Sequence, residues 1–149
     1  MPDISKWNIS KSRNLHSLFY DCPSLKALPD ISKWKVSQVI ILSYTFCGCS
    51  SLKSLPDISN WNINNIRDMA GLFAYCSSLE VLPDLSKWKI KDFVRLKGLF
   101  YECSSLKELP NISDWEFHSP FEFVVKHKTI YSYFLKTIPD LLNNSRSYF

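Results

Sequence analysis

The feature of this sequence that most constrains its fold is a short repeat that no insertion interrupts. Its period is 27 residues, which is the interval from Trp7 to Trp34. The opening "MPDISKWN" returns as "LPDISKWK" at residue 28, "LPDISNWN" at 55, "LPDLSKWK" at 82 and "LPNISDWE" at 109. A fixed period between 20 and 50 residues is typical of a solenoid, in which each unit buries its apolar face against its neighbours. Several columns keep the interval: Trp7, Trp34, Trp61, Trp88 and Trp115; Cys22, Cys49, Cys76 and Cys103; Phe19, Phe46, Phe73 and Phe100; Leu25, Leu52, Leu79 and Leu106.

The segment before each cysteine has the spacing of one helical face. Val39, Leu42 and Phe46 follow one another at intervals of three and four residues, and Cys49 continues the series. Small polar residues such as Ser37 precede the segment and could cap a helix. Isolated helices shorter than about 12 residues are marginal in water, so packing against adjacent units would have to stabilise this one. The pattern predicts one short helix in each unit.

The segment after each cysteine has the pattern of a short strand. In "SLKSLP", Leu52 and Leu55 flank polar residues, and Pro56 removes a backbone donor. Stacked units would place successive strands about 4.8 Å apart in a parallel sheet. We therefore predict an α/β solenoid that curves, with short parallel strands on one face and short helices on the other.

These residues resemble the BspA-like leucine-rich repeat surface proteins. The match is seen throughout "MAGLFAYCSSLEVLPDLSKW", residues 69–88, where a Leu-Phe pair, a cysteine, a Ser-Leu segment and a Ser-x-Trp turn follow in order. The resemblance covers residues 1–117. It implies a leucine-rich repeat fold and adhesion or ligand binding at a cell surface or after secretion, and it carries over no catalytic residues.

The repeat divides the chain into two parts. Residues 1–117 hold five in-register units, the first of them truncated, and residues 118–149 are predicted to be a degenerate terminal repeat or cap. In the second part, "FLKTIPDLLNNS" at 134–145 resembles a worn repeat, and a cap would present a polar outer face. Candidate residues for that face are Lys126, His127, Lys128 and Arg146. Because Met1 stands where other units have leucine, we expect a longer parent chain with further repeats, or an open end that docks on a partner.

Charge and composition argue against several classes of function. The formal charge of +4 is scattered along the chain without a basic cluster, so we expect no nucleic-acid partner. No run of 18 apolar residues occurs, so no membrane insertion is expected, and no secretion signal is recognised near the start. His16, His118 and His127 share no partner at fixed spacing, and no glycine-rich phosphate loop is present. We predict neither an enzyme nor a cofactor.

The cysteine column permits three interpretations. Single cysteines, one in each unit with Cys47 as an extra neighbour, lack the paired ligands that zinc sites use. A disulfide needs Cα atoms less than about 7 Å apart, which helices of adjacent units would barely allow. We favour reduced thiols that fill small spaces in the core.

The tryptophan column could be a ladder in the core or a platform on which carbohydrate stacks. A residue that every unit places identically is more often required by the repeat than by a ligand, so the structural interpretation is favoured.

An acidic row beside the prolines could form turns or bind calcium, and turn formation is favoured because calcium-binding repeats place glycine beside aspartate. The serine two residues later is expected to satisfy backbone groups in that turn. The two rows are Asp3, Asp30, Asp57 and Asp84 with Asn111, and Ser5, Ser32, Ser59, Ser86 and Ser113.

Ligand selectivity should lie where units differ while their neighbours stay constant. The candidate contact residues alternate along the predicted strand, and their charges are mixed: Lys26, Lys53, Glu80 and Lys107, with Ala27, Ser54, Val81 and Glu108. A protein or peptide partner fits such a surface best. We predict a non-enzymatic protein-binding or adhesion module; the alternatives are a purely structural or nonfunctional fragment of a longer repeat protein, or a carbohydrate-binding surface that uses the tryptophan column.

Overall fold

The computed structural model describes residues 3–112 and 114–116. Met1, Ser113 and the predicted terminal unit at 118–149, with its histidines and Lys126, Lys128 and Arg146, lie outside the described residues. Within the described ranges the chain forms turns and isolated bridges, with no helix and no extended strand. The prediction of an α/β solenoid with helices on one face and strands on the other is therefore wrong.

The predicted helix is replaced by a segment whose amides alternate between two kinds of acceptor. Leu42 N donates to Asp68 O of the next unit at 2.8 Å, and Tyr44 N donates to Ala70 O at 2.9 Å. Between them, Thr45 N donates back to Leu42 O of its own unit at 3.2 Å. An α-helix requires every amide to bond within its own segment. Because every second amide here bonds to the neighbouring unit, the segment cannot be an α-helix.

Each unit also contains two residues with left-handed backbone. One position is four residues after the other. From Ser17 to Tyr75 both positions donate their amides to the next unit, as Tyr44 N and Gly48 N do to Ala70 O and Ala74 O. A left-handed residue interrupts a right-handed helix, and glycine adopts this conformation at the lowest cost. The first position is held by Ser17, Tyr44, Gly71 and Gly98, and the second by Asp21, Gly48, Tyr75 and Glu102. All three glycines of the chain occupy these two positions.

Parallel bridges join successive units at one position in this same segment. They pair Asn14 with Ile41, Ile41 with Asp68, and Asp68 with Arg95. The backbone pairing between units thus runs where a helix was predicted. In the predicted strand, the described units show only two backbone bonds between neighbours, Glu80 N to Lys53 O at 3.0 Å and Lys107 N to Glu80 O at 3.3 Å. These are too few to form a sheet.

The core lies inside the stack and consists of identical side chains from successive units. The rings of Phe46 and Phe73 are stacked with centroids 5.8 Å apart and planes 3° apart. Trp34 and Trp61 stack in the same way at 6.3 Å and 6°. Stacked aromatic pairs contribute roughly 0.5–1.5 kcal/mol beyond the area they bury. Each unit therefore covers the aromatic faces of its neighbour.

Two side-chain hydrogen bonds repeat between the units and fix their alignment. The indole Nε1 of Trp34, Trp61 and Trp88 donates to the carbonyl of Ile4, Ile31 and Ile58 at 3.1, 3.1 and 3.2 Å. The thiols of Cys49, Cys76 and Cys103 donate to the carbonyls of Phe19, Phe46 and Phe73 at 3.2, 3.1 and 3.0 Å. A shift of one unit against the next by a single residue would leave these buried groups without acceptors.

Candidate functional site

The predicted contact residues lie in a row across the units, which we call the variable edge: Lys26, Ala27, Lys53, Ser54, Glu80, Val81, Lys107 and Glu108. Seven of them are exposed and Glu80 is half-buried. They do not form a strand face, since no strand is present there. The stacking nevertheless places them side by side on the surface.

An ion pair partly neutralises the charge of the variable edge. Lys107 Nζ lies 2.8 Å from Glu80 Oε2, and this contact lowers the pKa of Glu80 and raises the pKa of Lys107. The charge of Lys53 also lowers the pKa of Glu80, to a smaller extent. The two lysines and the glutamate therefore form one alternating charged row.

Two open clefts lie between adjacent units at the variable edge. A cleft of about 390 Å³ is lined by Ala27 and Ser54, together with the leucines, proline and aspartates that follow them. A second cleft, of about 350 Å³, is lined in the same way by Val81 and Glu108. The residues that vary between units thus shape the entrances of these clefts.

A larger groove of about 510 Å³ lies on the turn segments next to the variable edge, and we call it the tyrosine groove. It crosses four units. Its lining is Tyr20, Asp21, Pro23, Cys47, Gly48, Ser50, Tyr75, Ser77, Glu102 and Ser104.

The second left-handed position of each unit shapes the tyrosine groove. Asp21, Tyr75 and Glu102 hold this position with φ between 52° and 58°, and Gly48 holds it with φ 79°. A Cβ atom on Gly48 would lie 3.0 Å from the Cα atom of Asp21. The missing side chain of Gly48 therefore lets the backbones of two adjacent units approach closely at the groove.

Two tyrosines give the groove an exposed aromatic surface. Tyr20 is 55% exposed and Tyr75 is 52% exposed. The ring of Tyr75 packs edge-on against Tyr101, with centroids 5.3 Å apart, so its orientation is supported from one side. Tyrosine is enriched at protein interfaces because it offers a large rigid surface with a polar tip.

The tryptophan column lies in the core instead of on the surface. Trp34, Trp61, Trp88 and Trp115 are buried, and only Trp7, at the first described unit, is 47% exposed. The stacked indoles cover each other's faces, as Trp7 and Trp34 do with planes 4° apart. A column packed in this way does not offer those faces to a sugar.

The acidic row forms turns at the surface. In each case the aspartate Oδ1 accepts the backbone amide of the serine two residues later, as Ser32 N donates to Asp30 at 2.9 Å. The same bond occurs at Asp3, Asp57 and Asp84. Hydrogen bonds from these serines lower the pKa of the four aspartates.

The five cysteines are free thiols, and all except the half-buried Cys22 are buried. Burial raises the pKa of Cys49 and of Cys103 to about 12, from an ordinary value of 9.0. The pKa values of Cys47 and Cys76 are raised for the same reason. These thiols are poor nucleophiles, since reaction requires the thiolate.

We expect five thiols to react with a colourimetric disulfide reagent in denaturant, whereas in the native chain only Cys22 should react rapidly. A Cys22→Ser variant should lose that fast phase and retain the slow one. In an unfolded chain the thiols lose their protons near pH 9, while the folded chain holds those of Cys49 and Cys103 up to about pH 12. Their contribution to stability is therefore complete below pH 9 and is lost between pH 9 and 12. One free thiol in denaturant, or five fast thiols in the native chain, would contradict this account.

The described residues contain no group of three or more His, Cys, Asp or Glu side chains placed to hold a metal ion. His16 lies on the surface, where its Nδ1 is 2.8 Å from Ser43 Oγ and its ring packs edge-on against Tyr44. In the same ranges no helix is long and apolar enough to cross a membrane.

Sequence reasoning missed the tyrosine groove, because nothing in a helical pattern places Tyr20 and Tyr75 on one surface. The available signal was the position of the glycines. Gly71 and Gly98 are one repeat apart, and Gly48 has the same position in its unit as Tyr75 has in the next. The glycines thus fall at two fixed positions of the repeat, and glycine at a fixed position is typical of a left-handed turn.

The comparisons with known proteins identify one family. The family model described as "Mycoplasma protein of unknown function, DUF285" matches residues 1–115. No curated protein and no solved structure matches the chain.

Proposed function

Because the chain belongs to the DUF285 family, described for Mycoplasma proteins of unknown function, we propose that it is a non-enzymatic binding module of a bacterial surface. The tyrosine groove and the variable edge together hold a protein or peptide partner. The resemblance of the repeat to BspA-like surface proteins supports the surface location and an adhesive role.

The observation that carries this proposal is the presence of Tyr75 at a left-handed position of the groove. A non-glycine residue in this conformation costs about 1 kcal/mol or more compared with glycine. Tyr75 is 52% exposed, so burial in the core does not compensate for that cost. An exposed aromatic side chain at a position where glycine would cost less indicates a role in binding.

The neighbouring features suit a peptide better than a small molecule. The groove is open and crosses four units, and the variable edge beside it offers alternating lysine and glutamate side chains. An extended peptide could lay apolar residues along the tyrosines and place charged residues on the edge. Electrostatic complementarity of this kind contributes mainly to partner choice and to the rate of association.

A displayed library of random peptides, selected on the immobilised chain, provides the test. Selected peptides should bind a Tyr20→Ala, Tyr75→Gly double variant at least about tenfold more weakly, as expected for interface hot spots. Glycine suits the backbone at 75, so the variant should keep its melting midpoint within a few degrees. A Lys26→Glu, Lys53→Glu, Lys107→Glu variant should weaken binding and change which peptides are selected.

The matched control is a Lys6→Glu, Lys35→Glu, Lys97→Glu variant, which makes the same change in charge at exposed lysines outside the edge. It should bind the peptides as the parent chain does. Equal binding by the parent, the tyrosine variant and the edge variant would place the site elsewhere and would contradict the proposal.

A further inference from the structure

A further cleft, whose lining shares no residue with the tyrosine groove, contains two arginines. Its volume is about 290 Å³, and its lining is Arg13, Gln38, Ile40, Asn65 and Arg67. Arg13 and Arg67 hold the same position two units apart, and Ile40 holds it in the unit between them. Stacking thus places at one cleft two arginines that a whole unit separates in the sequence.

The guanidinium group of Arg67 is held in place from two sides. Its Nη1 donates to Ile66 O at 3.1 Å, and to Asn64 O at 3.5 Å, which is at the limit of a hydrogen bond. Its Cζ lies 4.4 Å from the centroid of the Phe93 ring. Both hydrogen bonds use Nη1, so within the described residues the donors on Nε and Nη2 have no partner. An arginine fixed in this way loses little conformational entropy when it binds an anion.

The other polar side chains that line the cleft also carry hydrogen-bond donors. In residues 3–112 and 114–116, the side chains of Arg13 and Gln38 make no hydrogen bond or ion pair, and Asn65 Nδ2 donates to Ser37 O at 2.6 Å. No carboxylate lines the cleft. The acid that follows Arg67 in sequence, Asp68, is paired with Arg95 at 3.1 Å. Since its lining contains two arginines and no carboxylate, the cleft carries a net positive charge.

We propose that this cleft binds a phosphate monoester group, independently of the function proposed above. Two arginines match the charge of a dianionic phosphate, whereas a carboxylate carries one charge and has two acceptor oxygens. Planar guanidinium groups form paired hydrogen bonds with phosphate oxygens, and the amides of Gln38 and Asn65 can supply further contacts. A concave site of one charge sign also raises the local concentration of such an anion.

The group could come from free phosphate or from a lipid headgroup, and two probes distinguish these sources. The chain is titrated with inorganic phosphate at low ionic strength, and is separately mixed with vesicles containing phosphatidic acid, a phosphate monoester. Vesicles with phosphatidylglycerol, a diester, are prepared at equal surface charge. For whichever of these two probes the parent chain binds, we expect Arg13→Gln and Arg67→Gln each to weaken binding at least about tenfold. Binding of inorganic phosphate supports the free source, and binding of phosphatidic acid vesicles alone supports the headgroup.

Arg95→Gln is the matched control, because it removes the same charge from the same region but from an arginine that Asp68 already pairs. It should bind both probes within about twofold of the parent chain. Arg13 and Arg67 are exposed, so their variants should fold, and unchanged melting midpoints will verify this. The proposal is overturned if neither probe binds, if the arginine variants bind like the parent, or if Arg95→Gln weakens binding as strongly. It is also overturned if phosphatidylglycerol vesicles bind as well as phosphatidic acid vesicles, or if acetate, titrated in the same way as inorganic phosphate, binds as well as phosphate.

Discussion

Replacing Trp61 with alanine should lower the free energy of unfolding by about 3–5 kcal/mol, the range found for buried tryptophan truncated in a core. Trp61 is 5% exposed and stacks on Trp34 with ring centroids 6.3 Å apart. Its Nε1 donates to Ile31 O at 3.1 Å, and this buried carbonyl would lose a donor. Denaturant unfolding of the parent and the variant, followed by circular dichroism, measures the difference.

Trp7→Ala is the control for this prediction. It removes the same kind of side chain from a position where tryptophan is 47% exposed. Among the described rings, Trp7 stacks on Trp34 alone. Its cost should be clearly smaller, at about 1–2 kcal/mol, because less area is uncovered and no enclosed cavity forms. Equal losses for Trp7→Ala and Trp61→Ala would mean that the column does not lie inside a stack.

Replacing Gly71 with alanine should lower the free energy of unfolding by about 2–4 kcal/mol, the sum of a backbone cost and an overpacking cost. The first part is the left-handed backbone, since Gly71 has φ +59° and a Cβ atom costs about 1–2 kcal/mol there. The other part is overpacking, because that Cβ would lie 2.5 Å from a ring atom of Tyr44 and the ring would have to move. The same unfolding experiment measures this loss.

Gly98→Ala separates the two parts. Gly98 has φ +68°, but the nearest atom to its added Cβ is Tyr101 Cβ at an ordinary 3.6 Å. Only the backbone cost of about 1–2 kcal/mol should remain. Adding Tyr44→Gly to Gly71→Ala should recover the overpacking part. Equal costs for the two glycine variants, with no recovery, would show that Tyr44 does not lie over Gly71.

The repeat predicted which side chains are buried better than it predicted the conformation of the backbone. Leu42, Phe46 and Cys49 all lie in the core, which is what their spacing indicated. A helix and the observed series of turns both direct residues at intervals of three and four to one side. The spacing could not separate the two structures, since it does not reveal that every second amide bonds to the next unit.

The predicted strand was wrong for a related reason. Alternating leucines such as Leu52 and Leu55 indicate which side chains face inward, and Leu52 is fully buried. They do not reveal how many backbone groups pair with the next unit. The parallel pairing instead lies at Ile41 and Asp68, in the segment where the helix was predicted.

From the sequence, the candidate site could be predicted only at positions where the residue differs from one unit to the next. That reasoning led to the variable edge, whose residues are mostly exposed, with Glu80 and Lys107 in contact. The tyrosine groove depends on left-handed residues, and the arginine cleft depends on which units come together. Neither follows from composition, and charge scattered along the sequence did not indicate that Arg13 and Arg67 line one cleft.

The central claim is that successive units lie side by side with equivalent residues in contact. Nuclear Overhauser spectra of the labelled chain test it most directly, through the indole N–H protons of Trp34, Trp61 and Trp88. Each should show contacts to the isoleucine 30 residues earlier, Ile4, Ile31 and Ile58, and should exchange slowly with solvent. Indole protons that exchange rapidly and contact only residues of their own unit would contradict the stacked arrangement.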